Sequence, residues 1–248
     1  MLIAGLLAAL FLLPRAALAG AVAVLLFFAG LEWARLCRLA APGAWVFAAA
    51  LPVVFLVTAY LGLQQALFLV AAAWWIVLAP AWMWRGVRPG QHTWLGAAGF
   101  AVLVPAGLAM LALGPLEVLL VLVLVWIADT AAYFAGRAWG RRKLAPAISP
   151  GKTWEGAAGG LIGALAYAII GGFWIQEIAW TPFLAAAALL AMVSIVGDLF
   201  ESSAKRQAGV KDSGSLLPGH GGILDRIDSA TAALPLAALL RPLLGAGA

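Results

Sequence analysis

Long apolar runs separated by short polar stretches extend through most of the 248-residue chain. A helix needs about 20 apolar residues to cross a hydrocarbon core of about 30 Å. The apolar runs are continuous and do not alternate residue by residue, which excludes a β-barrel. We therefore predict an all-α polytopic membrane protein with about nine transmembrane helices, of which the first and last are short: 2–14, 16–33, 44–62, 65–83, 93–113, 115–135, 155–175, 181–200 and 229–246.

Positive charge is distributed unevenly between the two sides of the predicted bundle. The chain has a net charge of +5, although it is 65% apolar and has a mean hydropathy of +1.06. Thirteen of its 15 Lys and Arg residues fall in four alternate loops, and only Arg15 and Arg241 lie on the opposite side. Loops rich in Lys and Arg face the cytoplasm, where they also attract anionic membrane lipids. We therefore expect no nucleic-acid partner and a cell (inner) membrane protein whose amino terminus and these four loops are cytoplasmic: 34–43, 84–92, 136–154 and 201–228.

The two halves of the chain differ in their content of ionisable residues. Residues 1–128 are mostly Ala, Leu, Val and Trp, and we predict that they form an apolar transmembrane scaffold. Residues 129–248 contain the candidate functional residues, and we predict that they form the catalytic region of a single integral membrane unit. Within it, Gly156-x3-Gly160 is a spacing that lets two helices approach closely. The single cysteine, Cys37, excludes an internal disulfide and a cysteine-based metal site.

The first candidate cluster comprises Asp129, Tyr133 and Arg137, which are spaced four residues apart. On a helix this spacing places them on one face, near the cytoplasmic end of the sixth predicted span. Asp129 follows the apolar run VLVLVWIA and so lies at membrane depth, where an ionisable group costs about 2.5 kcal/mol or more and indicates a functional site. The alternative is a structural ion pair between Asp129 and Arg137 that fixes helix packing.

The second cluster is Ser149-Pro150-Gly151-Lys152-Thr153. Gly-Lys-Thr resembles the end of a phosphate-binding P-loop, but that motif requires Gly where this chain has Pro146, and no strand is predicted before it. A helix that starts after Ser-Pro would still present free backbone N–H groups, with Lys152 beside them, to an anion at the membrane surface. The alternative is a helix cap with a lysine that extends to the interface.

The third cluster, which we call the polar island, is the segment Ser202–Ser229. Asp198 lies at membrane depth on the helix that leads into it, and Asp225 and Asp228 are three residues apart on the next helix. Three carboxylates from two helices offer the oxygen ligands that Mg²⁺ prefers. The alternative, a solvated loop with incidental ion pairs, does not explain why glycine-rich turns and paired carboxylates coincide at a membrane boundary. Four basic residues would neutralise phosphates bridged to the metal: Lys205, Arg206, Lys211 and Arg226.

The polar island closely resembles the signature of the phosphatidate cytidylyltransferase (CDP-diacylglycerol synthase) family. It matches the order Ser-x-x-Lys-Arg, Lys-Asp-x-Gly, Pro-x-His-Gly-Gly and Asp-Arg-x-Asp over 27 residues. Ala204 stands where a larger aliphatic residue is expected, a difference that affects packing and leaves the polar groups intact. Two upstream segments, Asp129–Arg137 and Ile148–Gly156, are also similar to the family. The amino-terminal half matches only in hydropathy and in Glu32-Trp33.

The resemblance implies an enzyme that transfers CMP from CTP to phosphatidic acid, with an active site that faces the cytoplasm among membrane lipids. It implies Mg²⁺ held by Asp198, Asp225 and Asp228, leaves open a second, monovalent cation such as K⁺, and is compatible with a homodimer. The other candidates would contact phosphates, apart from Asp212, which would bind or adjoin the metal. We assign Asp225, Asp228, Lys205, Arg206, Lys211, Asp212 and His220 to catalysis, and Ser202, Gly221, Gly222, Arg226, Lys152, Ser149, Tyr133 and Arg137 to substrate binding.

Two rival functions use part of the same pattern. A CTP-dependent lipid-alcohol kinase, such as a polyprenol kinase, uses the same nucleotide but transfers the γ-phosphoryl group to a hydroxyl, and the complete signature argues against it. A secondary transporter would use Asp129 and Asp198 as coupling-ion sites. Transporters of this kind usually contain paired repeats, whereas the two halves of this chain have unlike charge content and no internal repeat.

Overall fold

The computed structural model describes residues 2–86, 90–175, 178–214 and 221–244, and these residues are almost entirely helical. The all-α prediction is therefore confirmed for the described part of the chain. The helices are α1 (Leu2–Leu12), α2 (Arg15–Leu36), α3 (Ala41–Tyr60), α4 (Gln64–Ala73), α5 (Ala79–Trp84), α6 (His92–Ala112), α7 (Pro115–Trp139), α8 (Trp154–Gly172), α9 (Trp180–Ala208) and α10 (Leu224–Leu240), with a π-helical segment at Trp74–Leu78 and a 3-10 helix at Arg241–Leu244.

Seven helices in the described ranges are long and apolar enough to cross a membrane. Six of them are α2, α3, α6, α7, α8 and α9, and the seventh is the continuous segment Gln64–Trp84, in which the π-helical segment joins α4 to α5. Helix α1 has 11 residues and α10 has 17, so both are shorter than the roughly 20 residues that a span requires. The protein is thus an integral membrane protein with seven candidate spans, and the predicted count of about nine is not confirmed.

Helix α9 continues past the predicted end of its span and stops at Ala208. Hydropathy falls in its last two turns, but Ala204 and Gln207 are buried against the rest of the bundle, so the helix persists. Gly209 then ends it in the left-handed conformation, with φ +73°. The first eight residues of the loop predicted at 201–228 are therefore helical.

A short antiparallel hairpin follows α7 and consists of β1 (Lys143–Ala145) and β2 (Ser149–Thr153). Glu155 closes its base, because the Glu155 carboxylate accepts hydrogen bonds from the backbone N–H groups of Arg141 (3.1 Å) and Arg142 (3.2 Å). The sequence does not predict this hairpin, since its strands are short and β2 contains Pro and Gly, which are depleted in strands. The hairpin therefore places β2 beside the end of α7 that is predicted to face the cytoplasm.

The Gly-Lys-Thr motif lies in β2, and the prediction that no strand precedes it is wrong, because β1 does. Helix α8 begins after the motif, at Trp154, within one residue of the start predicted for the span at 155–175. Thr153 is the N-cap of that helix: its hydroxyl accepts a hydrogen bond from the backbone N–H of Gly156 at 3.0 Å.

Glycines allow close approach at two helix pairs that carry candidate residues. A Cβ atom at Gly160 of α8 would lie 2.8 Å from the carbonyl oxygen of Ala128 in α7. A Cβ atom at Gly197 of α9 would lie 2.7 Å from the carbonyl oxygen of Asp228 in α10. Both distances are too short for a side chain, so only glycine permits these contacts. The close packing predicted from the Gly156-x3-Gly160 spacing is confirmed at Gly160.

Phe200 of α9 is surrounded by tryptophans from the amino-terminal half. The ring centroids of Trp33, Trp74, Trp75 and Trp82 lie between 5.4 and 6.1 Å from that of Phe200. Phe200 and Trp75 are each only 1% exposed, so these rings form part of the core. Aromatic contacts of this kind add to the stabilisation from buried area. The core therefore joins the amino-terminal helices to the helix that carries Asp198.

Candidate active site

A cavity of about 510 Å³ lies between α7, β2, α9 and α10. This volume is typical of small-molecule sites. Residues that the sequence places in three separate clusters line this one cavity. Its lining includes four carboxylates (Asp129, Asp198, Asp225 and Asp228), two cations (Arg137 and Lys152), and Tyr133, Ser149, Gly151 and Thr153.

Lys152 joins the second cluster to the third. Its Nζ lies 2.5 Å from Oδ2 of Asp198, and both side chains are about a quarter exposed. Ser202, one turn further along α9, donates a hydrogen bond from its hydroxyl to the other Asp198 oxygen at 3.3 Å. Lys152 therefore makes a specific ion pair and does not simply extend to the membrane interface, as the alternative interpretation required. The ion pair fixes β2 against α9 at the cavity.

The first cluster contributes to the cavity without an internal ion pair. Arg137 donates a hydrogen bond from Nη1 to the Tyr133 hydroxyl at 3.2 Å. The structural Asp129–Arg137 ion pair is not among the salt bridges of the described residues. All three side chains of this cluster line the cavity, so the helix face predicted from their spacing is oriented toward the other two clusters.

Asp225 is held by protein donors on both of its oxygens. Oδ1 lies 2.6 Å from Nζ of Lys205. Oδ2 accepts hydrogen bonds from the backbone N–H groups of Ser213 (3.1 Å) and Gly222 (2.9 Å), and the Ser213 hydroxyl is also 3.1 Å away. This carboxylate therefore ties α9, the segment after α9 and the start of α10 together.

Glu201 is a buried carboxylate that the sequence analysis does not assign to the site. It is 3% exposed, and Nζ of Lys205 lies 3.2 Å from its Oε2. Lys205 therefore bridges Glu201 and Asp225. The i, i+4 spacing of Glu201 and Lys205 is the signal from which this pair can be predicted.

Glu32 of α2 is a second carboxylate outside the sequence assignments, and it is fully buried. It accepts a hydrogen bond from the Ser213 hydroxyl (2.9 Å) and from the backbone N–H groups of Ile223 and Leu224 (both 3.0 Å). A lone glutamate within the apolar run of α2 is itself a signal, because ionisable groups at membrane depth are rare. The amino-terminal half thus reaches the polar island directly.

The remaining assigned residues that the structure describes are not part of the cavity lining. Arg206 donates hydrogen bonds to the carbonyl oxygens of Ile148 (3.3 Å) and Val210 (3.4 Å), and so holds the hairpin and the end of α9 together. Gly221 adopts a φ of +80°, which favours glycine. Lys211, Asp212 and Arg226 are exposed. His220 lies outside the described residues.

The cavity lining has the composition of a cation site. Four carboxylates face two cationic side chains, and a polyanionic nucleotide would be repelled by this excess of negative charge unless a metal ion were bound. Carboxylate oxygens are the ligands that Mg²⁺ prefers. No group of three His, Cys, Asp or Glu within the described ranges is already arranged as a metal cluster, so the predicted set Asp198, Asp225 and Asp228 stays a prediction. The donor chemistry nevertheless fits a hard divalent cation.

Known proteins resemble between about half and nearly all of this chain. The phosphatidate cytidylyltransferase of Pseudomonas aeruginosa is 42% identical over 251 aligned residues, which cover 96% of this chain and 92% of the relative. The Haemophilus influenzae protein of the same name is 53% identical over 122 residues, 47% of this chain and 42% of that protein. The Thermotoga maritima protein of that name is 44% identical over 121 residues, 46% and 45% of the two chains. Residues 1–244 match the cytidylyltransferase family, and the chain belongs to that family.

Proposed function

We propose that this protein transfers CMP from CTP to phosphatidic acid and so forms CDP-diacylglycerol and pyrophosphate for phospholipid biosynthesis. The observation that carries the proposal is the cavity itself, in which three polar clusters of a very apolar chain meet between α7, β2, α9 and α10. The name and nearly complete coverage of the Pseudomonas relative support the same substrate pair. Nucleotidyl transfer to a lipid phosphate requires charge neutralisation and alignment, and the cavity lining supplies charged groups of both signs.

The reaction joins two polyanions. A phosphate oxygen of phosphatidic acid attacks the α-phosphorus of CTP, a new P–O bond forms, and the bond from the α-phosphorus to the bridging oxygen breaks as pyrophosphate leaves. A strong base is not needed, because the attacking phosphate oxygen already carries negative charge. Catalysis therefore depends on alignment and on electrostatic stabilisation of the charge that develops.

The cations of the cavity are suited to bind and orient phosphates. Lys152 and Arg137 line the same cavity, from β2 and α7 respectively. Lys152 lies against Asp198 and provides an ammonium group that can turn toward a phosphate oxygen. Arg137 is oriented by the Tyr133 hydroxyl, so its remaining N–H groups can hold a second phosphate.

Asp198 and Asp228 are the residues best placed to hold Mg²⁺. They line the cavity from the closely packed helices α9 and α10, and Asp129 lines it from α7. Asp225 is the third ligand in our prediction, and it must exchange one of its present donors, such as Lys205, to bind the metal directly. When bound, Mg²⁺ would neutralise the phosphates of CTP and of the leaving pyrophosphate.

The cavity lies beside a loop that is rich in positive charge. Arg141, Arg142 and Lys143 are exposed at the base of the hairpin whose second strand lines the cavity. Under the positive-inside rule this end of the bundle faces the cytoplasm, where CTP is available. We therefore place the active site at the cytoplasmic surface of the inner membrane, with phosphatidic acid supplied from the bilayer.

The product distinguishes this function from its rivals. Purified protein is incubated with phosphatidic acid, Mg²⁺ and CTP labelled at the α-phosphorus, and the organic phase is counted with and without EDTA. We expect label in the lipid phase that depends on Mg²⁺. Label that enters lipid only from γ-labelled CTP and a lipid alcohol would show a kinase, and absence of label in both assays with folded protein would overturn the proposal.

A further inference from the structure

The N-cap residue of helix α10 does not cap the helix with its side chain. Ile223 occupies the N-cap position in a helical conformation, and no side chain there accepts a hydrogen bond from the first turn. The first N–H groups of a helix need acceptors, and they favour negative charge because of the helix dipole. Glu32 supplies both the acceptors and the negative charge. Its two oxygens accept the N–H groups of Ile223 and Leu224, which lie 191 and 192 residues further along the chain.

We propose that Glu32 is a positioning residue, which caps α10 from the amino-terminal half and thereby holds Asp225 and Asp228 in the cavity lining. The proposal rests on the proposed function in one respect, because the proposed function assigns this cavity to catalysis. Asp225 and Asp228 lie in the first turns of α10. A shift of the helix start would therefore move both carboxylates relative to Asp198 on α9.

The backbone around Glu32 leaves room for this carboxylate and for little else. A Cβ atom at Gly222 would lie 2.5 Å from Oε2 of Glu32, and a Cβ atom at Gly214 would overlap Oε1. These two glycines belong to the polar island, on either side of the residues outside the described ranges. The backbone at Gly214 and at Gly222 therefore packs closely against a side chain from α2, as expected for a fixed docking point.

Ser213 connects this docking point to Asp225. Its hydroxyl lies 2.9 Å from Oε2 of Glu32 and 3.1 Å from Oδ2 of Asp225, and its backbone N–H donates to the same Asp225 oxygen. The hydroxyl has a single proton, so the two carboxylates share one donor between them. Loss of the Glu32 charge would therefore disturb the hydrogen bonding of Asp225 as well as the cap.

The test compares Glu32→Gln with Glu117→Gln in the full-length protein. Glu117 is a matched control, because it also accepts a hydrogen bond from a helix-start N–H, that of Gly114 (2.6 Å), and it binds Arg241. It lies at the other end of α7 from Arg137 and does not line the cavity. Three quantities are measured: turnover, the Mg²⁺ concentration for half-maximal activity, and the rate of tryptic cleavage after the exposed Lys211.

We expect Glu32→Gln to lower turnover by about 10–100-fold, the range typical for residues that orient metal ligands. It should also raise the half-maximal Mg²⁺ concentration and accelerate cleavage after Lys211, whereas Glu117→Gln should leave all three near wild type. Wild-type turnover in folded Glu32→Gln, a loss of turnover with unchanged cleavage, or equal changes in the control would each overturn the proposal.

Glu32→Asp provides a second variant if the glutamine protein does not fold. It keeps the charge but withdraws the carboxylate by one methylene, so we expect a smaller change of the same three quantities, and wild-type values would again contradict the proposal. If the wild-type protein made no CDP-lipid, the proposed function would fail. The cleavage rates would still decide whether Glu32 holds the polar island in place.

Discussion

Lys152 and Asp198 form an ion pair of 2.5 Å that connects strand β2 to helix α9 at the cavity. The two residues come from motifs 46 positions apart in the sequence. Each lines the same cavity as Asp228, so the pair lies within the proposed catalytic centre. An ammonium group next to a proposed metal ligand can neutralise the carboxylate before substrates bind and contact a phosphate afterwards.

Lys152→Met should therefore impair catalysis more than folding. Methionine keeps much of the side-chain volume but removes the charge, and we expect kcat/KM for CTP to fall by about 10–100-fold, as for loss of a charge-assisted hydrogen bond worth about 1.5–3 kcal/mol. Lys143→Met in β1 is the control, because that side chain is exposed and does not line the cavity. Equal activity of the two variants would remove Lys152 from phosphate binding.

Asp228→Asn should abolish turnover while the protein still folds. The substitution removes a negative charge from the proposed metal site but changes the side-chain volume very little. Activity should fall by at least about 100-fold, and binding of Mn²⁺, followed by electron paramagnetic resonance, should weaken in parallel. Thermal denaturation in detergent checks the fold. Substantial activity together with unchanged Mn²⁺ binding would exclude Asp228 from the metal site.

Lys205→Met should lower stability, because Lys205 is the counter-ion of two buried carboxylates. Its side chain is 11% exposed, and those of Glu201 and Asp225 are 4% and 11% exposed. Removal of one partner from a buried ion pair typically costs about 3–5 kcal/mol, and the thermal midpoint should fall by several degrees. The double variant Lys205→Met/Glu201→Gln should recover part of the loss, since the amide leaves one fewer buried charge. A midpoint equal to wild type in the single variant would show that the pair contributes no stability.

The sequence predicts candidate residues on α7, α9 and α10, but it does not predict that those of α7 lie in one cavity with those of α9 and α10. Asp129, Tyr133 and Arg137 share a face because of their spacing, and Asp198 and Asp228 stand out as carboxylates in or beside apolar helices. In the structure all five of these side chains line the cavity. Helical periodicity and the cost of charge in the membrane are sufficient to find them.

The sequence does not predict contacts that depend on distant partners. Glu32 binds groups 181–192 residues away, and nothing near it in the chain indicates which groups those are. The hairpin of β1 and β2 is missed because its strands are short and β2 contains Pro and Gly. The end of α9 is misplaced because hydropathy falls at Glu201, although burial of Ala204 and Gln207 keeps the helix intact.

Cys37 should be unreactive in the folded protein. It follows α2 outside the candidate spans and is buried, and burial raises the pKa of its thiol from an ordinary value near 9 to about 12. Since only the thiolate reacts quickly, about one Cys37 in 10⁴ should be reactive at pH 8. Maleimide labelling in mild detergent should therefore be slow until the pH exceeds about 10, and fast at pH 8 once the protein is unfolded in dodecyl sulfate.

The raised pKa of Cys37 also predicts the direction in which stability changes with pH. A thiol whose pKa is raised on folding stabilises the native state fully below the unfolded pKa, and this contribution is lost as the pH rises from about 9 toward 12. Cys37→Ala removes the titrating group, so its thermal midpoint should decline less than that of wild type over this range. Rapid labelling of the folded wild type at pH 8, or parallel decline of the two proteins, would contradict the burial of a neutral thiol at this position.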